Sequence, residues 1–319
     1  MCAKGQNWLI TSASAKVDLV RRMRAAVNAS GSKLYVTDVD PLAASFHFAD
    51  GFAVLPALDT GDYYAALVGY CHENGVGVVL PTRDADVAFL AANKRSLASE
   101  GVLVIVSPQE TVDICLDKIA FHEHCLCAAI PVLPRVGTLE ASVFPCFVRS
   151  RVGAGGLGAQ KVGNMAEFEA LYSGVSCDDL LVQRDVDLPE FTVDILFAAD
   201  GTAVQWVARE RLRVKKGESC VGETVQISAL DDVVVNLGQS MSFVGPVTLQ
   251  CFYTPESGPY VIEVNPRIGG GAALGIEAGL DTPARLVQLV QGDAEAYAQP
   301  RPLHYGLKMF RYSADLFVS

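Results

Sequence analysis

Short apolar runs rich in β-branched residues alternate with helix-length amphipathic segments through the first hundred residues of this 319-residue chain. This alternation is typical of βαβ units, in which crossover helices join parallel strands. The strands are predicted at 8–11, 33–37, 76–81 and 102–106, with a weaker edge strand at 52–55, and the helices at 16–29, 62–74 and 84–100. We therefore predict an open, Rossmann-like parallel-sheet domain over residues 1–107.

The pattern changes after residue 107. Two short helices are predicted at 110–116 and 118–128, with Asp117 as the N-cap of the second. From Cys146 the chain has the alternation and turn residues of antiparallel strands, until a terminal helical region begins near Ala272. The prediction is therefore an α/β domain followed by a larger α+β region.

Charge and hydropathy exclude two classes of partner. The formal net charge of −11 has the wrong sign for a chain that coats a phosphodiester backbone, so no nucleic acid is expected. No stretch approaches the roughly 18 apolar residues of a membrane span, and the N-terminus lacks the apolar core of a secretion signal. We expect a cytoplasmic protein with no membrane partner.

The nine cysteines are odd in number and include no C-x-x-C pair, which predicts reduced, small apolar fillers. Cys125 and Cys127 lie near His122 and His124, and a metal cluster is the alternative interpretation. The spacing matches no usual zinc pattern, which favours the apolar interpretation.

The strongest local signal is a β-hairpin, in which alternating strands at 247–253 and 260–267 flank a Pro/Gly turn. Side-chain alternation places Glu263, Asn265 and Arg267 on one face, and a symmetric hairpin pairs Gln250 with Glu263. Oxygen-rich side chains beside an arginine suit a Mg²⁺ ion that also binds phosphate. The alternative is a solvated hairpin face.

Three glycines, 269–271, follow the hairpin directly and precede a predicted helix. They would bring backbone amides and a helix N-terminus close to anionic groups. The triplet therefore supports the interpretation of the hairpin as a phosphate-binding and metal-binding site.

A second signal is the glycine-rich segment at 146–162, where Gly153, Gly155 and Gly158 formally fit the dinucleotide fingerprint G-x-G-x-x-G. That fingerprint requires a helix to open at the glycines, whereas residues 159–162 predict a return strand. We predict instead a flap whose amides close over nucleotide phosphates, with Arg149 supplying a cation. A plain glycine-rich hairpin is the alternative.

Two further strands carry polar faces. Residues 180–197 predict a strand, a polar link and a second strand with Glu190, Thr192 and Asp194 on one face, which suits an adenine edge and a ribose. Arg209, Arg211, Arg213 and Lys215 recur with a period of two and predict a cationic strand face for carboxylate or phosphate. The alternative for the cationic strand is a charged edge that blocks aggregation.

Taken in chain order, these motifs resemble the ATP-grasp superfamily over roughly residues 110–280, with the carbamoyl-phosphate synthase large subunit as the nearest type. The resemblance implies an N-terminal α/β domain followed by a two-lobed α+β ATP-grasp domain. A small lobe with the flap would span 108–180, and a large lobe with the metal site would span 181–319. It also implies an enzyme that phosphorylates a carboxylate with ATP and two Mg²⁺ ions, for which Mn²⁺ can substitute, before an amine displaces the phosphate.

The resemblance assigns roles to particular residues. Those for the nucleotide are Lys118, Arg149, Gly153, Gly155 and Gly156 at the phosphates, Gln183, Arg184, Asp185 and Val186 at the adenine, and Glu190 at the ribose. Gln250, Glu263 and Asn265 would hold the metal, while Arg267, Arg209 and Arg211 would serve the reacting groups. Gln183 and Gln250 stand where a carboxylate is common, which leaves less negative charge for metal binding.

Two other functions stay open at this point, a nucleotide-binding regulatory module of the same fold and a nicotinamide oxidoreductase. The resemblance also implies small-molecule carboxylate and amine substrates and a homodimer. Carbamoyl-phosphate synthesis by this chain alone is not expected, because no second synthetase half or glutaminase portion is present.

Overall fold

Five parallel strands form the N-terminal sheet, in the spatial order β3-β2-β1-β4-β5. The computed structural model describes residues 5–153, 159–215 and 217–318. The strands are β1 (Asn7–Thr11), β2 (Leu34–Asp38), β3 (Gly51–Val54), β4 (Val76–Pro81) and β5 (Leu103–Val104). Every residue of β4 is buried, as expected for a central strand covered by helices on both faces. The predicted parallel-sheet domain and its weaker edge strand are confirmed.

Helices cover this sheet at α1 (Val17–Ala29), α2 (Tyr63–Glu73), α3 (Asp84–Ala92) and α4 (Lys94–Ser99). The predicted single helix over 84–100 is therefore wrong, since it is divided at Asn93. The Asn93 Nδ2 donates to the carbonyl oxygen of Phe89 at 2.9 Å. Asparagine side chains bond the neighbouring backbone in this way and interrupt helices, which explains the division.

Two helices, α5 (Gln109–Leu116) and α6 (Lys118–Cys127), follow with the predicted cap between them. Oδ1 of Asp117 accepts hydrogen bonds from the backbone N–H groups of Ile119 and Ala120, each at 3.0 Å. Although partial burial opposes the shift, the Ala120 N–H and the Arg151 guanidinium hold the pKa of Asp117 below its ordinary value. The N-cap is confirmed, and it fixes the start of α6, of which Lys118 is the first residue.

A three-stranded sheet comes next, with β6 (Cys146–Ser150) between β7 (Ala159–Val162) and β8 (Leu180–Arg184). Because β6 and β7 are antiparallel and α7 (Met165–Tyr172) begins only afterwards, the dinucleotide fingerprint is a false match. The nicotinamide interpretation falls with it. Gly155 and Gly156 lie outside the described residues.

The largest sheet has six strands in the order β13-β12-β9-β10-β11-β14. These are β9 (Glu190–Phe197), β10 (Ala203–Lys215), β11 (Glu218–Val225), β12 (Gly245–Thr254), β13 (Gly258–Asn265) and β14 (Lys308–Phe310), with α8 (Asp231–Ser240) between β11 and β12. Of the cationic stretch 209–215, only Arg209 and Glu210 pair on both sides, whereas residues 213–215 pair with β11 alone. The charged-edge interpretation is therefore wrong at Arg209 and stays open for Arg213 and Lys215. The link 185–189 carries the chain from the three-stranded sheet into this one.

The C-terminal helices α9 (Ala273–Gly275), α10 (Thr282–Gln291) and α11 (Ala294–Ala298) return the chain to the N-terminal domain. Ile268 and Leu286 lie in the core of the parallel sheet, next to residues of α1. Phe121 and Cys125 likewise lie in the core of the six-stranded sheet. Segments from all three predicted units thus share cores, so the site rests on a continuous packed support.

Every cysteine except Cys2 lies in the described residues, and none of these forms a disulfide bond. Five of them are buried, as predicted: Cys71, Cys115, Cys125, Cys146 and Cys251. Within the described ranges, no three His, Cys, Asp or Glu side chains are placed to hold a metal ion, so the Cys125/Cys127 cluster is not a metal site. The longest helix described, α1, has 13 residues, and none of the helices in these ranges can cross a bilayer.

Candidate functional site

The three predicted metal ligands meet on the β12–β13 hairpin. The strand register pairs Gln250 with Glu263, as the symmetric hairpin predicted. Gln250 Nε2 donates to Glu263 Oε1 at 2.7 Å, and Asn265 Nδ2 donates to the same oxygen at 3.2 Å. The hairpin thus brings one carboxylate and two amides together on one half-buried face.

Arg211 joins this hairpin to the neighbouring strands. Its Nη1 donates to Gln250 Oε1 at 2.5 Å and to Glu190 Oε1 at 2.6 Å, and its Nη2 donates to the Gly217 carbonyl at 2.7 Å. Burial and the charge of Glu263 raise the pKa of Glu190, although Arg211 opposes the shift. The predicted ribose acid and a predicted metal ligand therefore share one guanidinium.

Arg149, on β6, contacts the backbone of β13 and is only 6% exposed. Its Nη2 donates to Gln183 Oε1 at 2.7 Å and its Nη1 donates to the Ile262 carbonyl at 3.1 Å. Burial lowers the pKa of Arg149, with Glu263 and Glu190 acting in the opposite direction. A buried cation with part of its fork held by protein groups is placed to meet a phosphate.

The amide of Gln183 explains one departure from the ATP-grasp pattern. Its oxygen accepts from Arg149, and its Nε2 donates to the Leu133 carbonyl at 2.7 Å. An ionised carboxylate could not donate to that carbonyl, which would be left facing a negative charge. The glutamine is therefore the side chain that satisfies both neighbours in this chain.

Lys118, at the start of α6, connects the hairpin region to the glycine-rich segment. Its Nζ donates to the Gly153 carbonyl at 2.8 Å. Burial and the nearby Arg149 lower the pKa of Lys118, while Glu263 opposes the shift. Two cations thus lie near the single carboxylate of the predicted metal site, which favours a polyanionic ligand.

Arg267 is bound by a residue that the sequence analysis missed. Its Nε and Nη2 donate to the two oxygens of Asp84 at 2.5 and 2.9 Å, and Nη2 also donates to Asn265 Oδ1 at 3.2 Å. Asp84 opens α3 of the N-terminal domain, where an acidic residue is an ordinary helix-start signal. No local pattern links positions 183 residues apart, so only the fold could assign this partner.

The prediction that Arg209 faces the substrate requires correction. Its guanidinium is 2% exposed and forms a bidentate ion pair with Asp194 at 2.6 and 2.9 Å. A Cβ added to Gly271 would lie 2.6 Å from Arg209 Nη1, so the chain passes directly over the pair. Arg209 therefore supports the chain at Gly271, and its buried guanidinium cannot contact a ligand in this arrangement.

The cationic face of β10 is also not continuous. The register with β11 shifts between Glu210 and Arg213, and Arg213 and Lys215 are exposed beyond the shift. A β-bulge of this kind redirects the side chains that follow it. Of the four predicted cations, only Arg211 contacts the predicted metal ligands.

The glycine triplet 269–271 packs closely against the sheet. An added Cβ would lie 2.8 Å from Thr248 Oγ1 at Gly269 and 2.9 Å from Glu218 Oε1 at Gly270. The helical segment that follows comprises α9 and the π-helical turn Ile276–Leu280. The triplet lets the chain turn closely over the sheet, and the binding of an anion at this helix start stays a prediction.

The link after β8 lies where the resemblance expects the adenine. The Asp185 N–H donates to the Pro145 carbonyl at 3.2 Å, and the Asp185 carboxylate pairs with Lys161 of β7. Arg184 is exposed and Val186 is half-buried. These contacts hold the link against the three-stranded sheet, and its contact with adenine stays a prediction.

Two family models match the chain. Residues 8–105 match the PylC-like N-terminal domain, and residues 176–311 match the family described as ATP-grasp in the biosynthetic pathway with Ter operon. The two matches correspond to the parallel-sheet domain and to the region that carries the hairpin site.

Known proteins show the same relationship. The chain is 23% identical over 265 residues to pyruvate carboxylase of Aspergillus terreus, covering 73% of this chain and 22% of the relative. It is 27% identical over 201 residues to the carbamoyl phosphate synthase large chain of Thermoplasma volcanium, covering 56% of this chain and 19% of the relative. The chain thus spans about a fifth of the length of these curated relatives.

The crystal structure of a biotin carboxylase–β,γ-ATP complex from Campylobacter jejuni matches with a TM-score of 0.73 at 16% identity. The match covers 93% of this chain and 73% of that chain. At this identity the likeness concerns the fold, which agrees with the parallel sheet followed by the antiparallel ATP-grasp sheet. The family match over residues 176–311 and the carbamoyl phosphate synthase relative identify this part of the chain as ATP-grasp.

Proposed function

We propose that the chain is an ATP-dependent, ADP-forming ligase that joins a small-molecule carboxylate to an amine. The observation that carries the proposal is the convergence of Gln250, Glu263 and Asn265 beside the cations of Arg149 and Lys118. Hard oxygen donors next to buried cations suit a magnesium-bound triphosphate. The match to a carbamoyl phosphate synthase large chain supports this interpretation.

The chemistry follows from the weakness of a carboxylate as an electrophile. A carboxylate oxygen would attack the terminal phosphorus of ATP, and the bond from that phosphorus to the bridging oxygen would break to release ADP. The amine nitrogen would then attack the acyl-phosphate carbon and lose a proton, while inorganic phosphate leaves with the electrons of the C–O bond. Such a reaction depends mainly on positioning, charge neutralisation and exclusion of water.

The residues divide between nucleotide and phosphate. In this proposal Lys118 and Arg149 contact the phosphates, Glu190 accepts the ribose hydroxyls, and the link 183–186 offers backbone groups to the adenine edge. Arg267, oriented by Asp84, stabilises the charge that develops on the transferred phosphoryl group. The hydrogen bond from Lys118 to the Gly153 carbonyl connects the glycine-rich segment to the cations proposed to bind the phosphates.

The hairpin residues fit magnesium by the chemistry of their donors. Both hydrogen bonds that described residues make to the Glu263 side chain use Oε1, and Gln250 and Asn265 each carry an amide oxygen that an arginine now contacts. Glu263, Gln250 and Asn265 would hold two Mg²⁺ ions, or Mn²⁺ in their place, which would neutralise charge on the terminal phosphates. Because two of the three ligands are neutral amides, we expect weaker metal affinity than with an all-carboxylate set.

The test is a coupled ADP-release assay on carboxylate and amine pairs, with the product confirmed by mass. Glu263→Gln is expected to lower turnover by about 100-fold or more, because a metal ligand is at least as sensitive as its supporting residues. ADP binding, measured by calorimetry without metal, is expected to change little. Glu256→Gln, an exposed residue on the same hairpin turn, is the matched control.

Two results would contradict the proposal. Near-normal turnover of the Glu263→Gln variant would remove Glu263 from the metal site. Tight ATP binding with no ADP release for any pair would favour the regulatory module instead. The homodimer implied by the resemblance stays a prediction, which the molar mass from light scattering on the same preparation checks.

A further inference from the structure

A small crevice opens at the carboxyl ends of the parallel strands, away from the hairpin ligands. The chain runs from β1 outward to β2 on one side and returns to β4 on the other, so the strand order reverses between β1 and β4. Ligands of open α/β sheets bind at such reversal points, outside the carboxyl ends of the strands. Ser12 follows β1, Asp38 ends β2, and the segment 82–86 follows β4.

Asp86 is the unusual group in this crevice. The residue is 1% exposed, and neither of its carboxylate oxygens lies at hydrogen-bond geometry to a donor among the residues described. Burial raises the pKa of Asp86, while the Ser12 side chain and the charges of Arg83 and Lys16 oppose that rise only in part. The nearest cationic atom, Nε of Arg83, lies 3.6 Å away on a side chain that is 49% exposed. A buried carboxylate with so few donors is unfavourable, so the folded chain alone does not explain this position.

Helix capping does not explain it either. Asp86 is the third residue of α3, where a carboxylate often bonds the backbone N–H of the N-cap residue. The N-cap of α3, Arg83, takes part in no side-chain cap hydrogen bond. Both oxygens of Asp86 therefore stay available for a partner that is not part of the chain.

Two of the other charged groups around the crevice are already engaged. Asp38 accepts the Ser14 N–H at 2.7 Å through Oδ2 and the Asp40 N–H at 3.1 Å through Oδ1. Lys16 Nζ donates to the Ser12 carbonyl and to Thr82 Oγ1, each at 2.9 Å. Asp86 thus keeps acceptor capacity that these contacts do not fill, and a strong donor suits it.

The space limits the size of that donor. The crevice, lined by Asp86, Ser12 and Tyr63 among others, has a volume of about 10 Å³. Such a volume holds one water-sized group. A primary ammonium group has this size and three donors, whereas a trimethylammonium group is too large.

The crevice is linked to the reaction site through one helical turn. Asp84 and Asp86 stand two residues apart at the start of α3, and Asp84 holds Arg267 with both oxygens. Lys16 lies close enough to both for its pKa to respond to the charges of Arg267 and Asp86, after the lowering by burial. The crevice therefore lies within one helical turn of the residue that holds Arg267.

We propose that Asp86 binds a primary ammonium group of the substrate, at the end of the molecule remote from the reacting carboxylate or amine. This inference rests on the proposed function and adds a substrate class to it, small molecules with an unsubstituted terminal ammonium group. Asp86 is a binding residue in this proposal and takes no part in proton transfer.

The experiment measures binding to the full chain without ATP, so that it does not depend on turnover. The probes are glycine, 4-aminobutanoate and 1,4-diaminobutane, each beside its N-trimethyl analogue, with thermal melting followed by calorimetry. At least one primary amine is expected to raise Tm while its trimethyl analogue does not. Asp86→Asn is expected to weaken that binding about tenfold or more, as for lost hydrogen bonds to a charged group.

Asp59→Asn is the matched control, since Asp59 is exposed and next to Leu58, which lines the crevice. It is expected to bind the amine as the wild type does. Because Asp86 has no hydrogen-bond partner, the Asp86→Asn protein is expected to melt at or above the wild-type temperature in the absence of amine. A variant that melts well below it would show a structural role and overturn the proposal.

Three other results would overturn the inference. These are no response to any primary amine, as for a crevice that holds only water; an equal response in the Asp86→Asn protein; and a response to K⁺ or Na⁺ in place of amines. Any of them together with normal ADP release would leave the proposed function standing. Amine binding that depends on Asp86 without any ADP release would leave the inference standing and remove the ligase.

Discussion

The buried ion pair between Arg209 and Asp194 allows the sharpest test of how this fold supports its site. Replacing Arg209 by Met leaves the Asp194 carboxylate, 7% exposed, without its cation. Replacing Asp194 by Asn leaves the guanidinium, 2% exposed, without its anion. Neither uncompensated charge can reach water without opening the sheet.

The magnitude follows from this enclosure. Removing one partner of a buried, bidentate pair costs about 3–5 kcal/mol of unfolding free energy, because the remaining charge stays desolvated. The remaining charged side chain has no room to move toward water, because the backbone lies tightly over both partners. A Cβ added to Gly275 would lie 2.4 Å from Asp194 Oδ2, and one added to Gly271 would lie 2.6 Å from Arg209 Nη1. The double variant is expected to lose less than the two single losses combined, by roughly 2 kcal/mol.

The assay is urea unfolding followed by tryptophan fluorescence. The chain has two tryptophans, Trp8 in the parallel sheet and Trp206 on β10, three residues from Arg209. In a Trp8→Phe background the signal reports the six-stranded sheet alone. The matched control is the surface pair Arg22–Asp18, exposed by 32% and 56%, whose disruption costs at most about 1 kcal/mol.

The reasoning fails if either single variant loses no more than the surface control. It also fails if the losses simply add in the double variant, since the two charges would then be independent. Either result would mean that water reaches the pair in solution.

Two further predictions concern the reaction site. Asp84→Asn leaves the Arg267 guanidinium without a carboxylate to orient it. Because a slightly misplaced catalytic group is much less effective, kcat is expected to fall about 100-fold while ADP binding is unchanged. An unchanged kcat would show that other residues position Arg267. Because burial lowers the pKa of Lys118, its charge is lost at a lower pH than an ordinary lysine loses it. ATP affinity is therefore expected to weaken on the alkaline side in the wild type and to hold in Lys118→Arg, and identical calorimetric pH profiles for the two proteins would exclude Lys118 from phosphate binding.

Features with a short repeat were predictable from the sequence. The βαβ alternation, the Asp117 cap and the hairpin register each depend on residues that are neighbours along the chain or two apart on a strand. Backbone geometry then dictates which side chains share a face. This is why the convergence of Glu263, Asn265 and Gln250 could be predicted from the sequence.

Other features depended on partners far apart in the sequence. Periodicity identified Arg209 and Arg211 as equivalent cations, yet Arg209 forms a buried pair with Asp194, and Arg211 pairs with Glu190 beside the predicted metal ligands. The glycines at 269–271 indicated freedom of the backbone, and the structure adds that Gly269 lies against Thr248 and Gly271 against the buried Arg209, with little room for a Cβ at either. A sequence pattern specifies the chemical type of a side chain and its face, but not what lies opposite.

By itself the sequence determined the layers of the fold and the chemistry on the hairpin, because strand alternation and helix caps are local consequences of backbone geometry. Only the tertiary structure decided that Asp84 binds Arg267, that Gln183 satisfies both Arg149 and Leu133, and that Asp86 is buried without a hydrogen-bond partner. Those outcomes depend on desolvation and on contacts between distant segments. Burial changes the free energy of a charged group far more than its neighbours along the chain do.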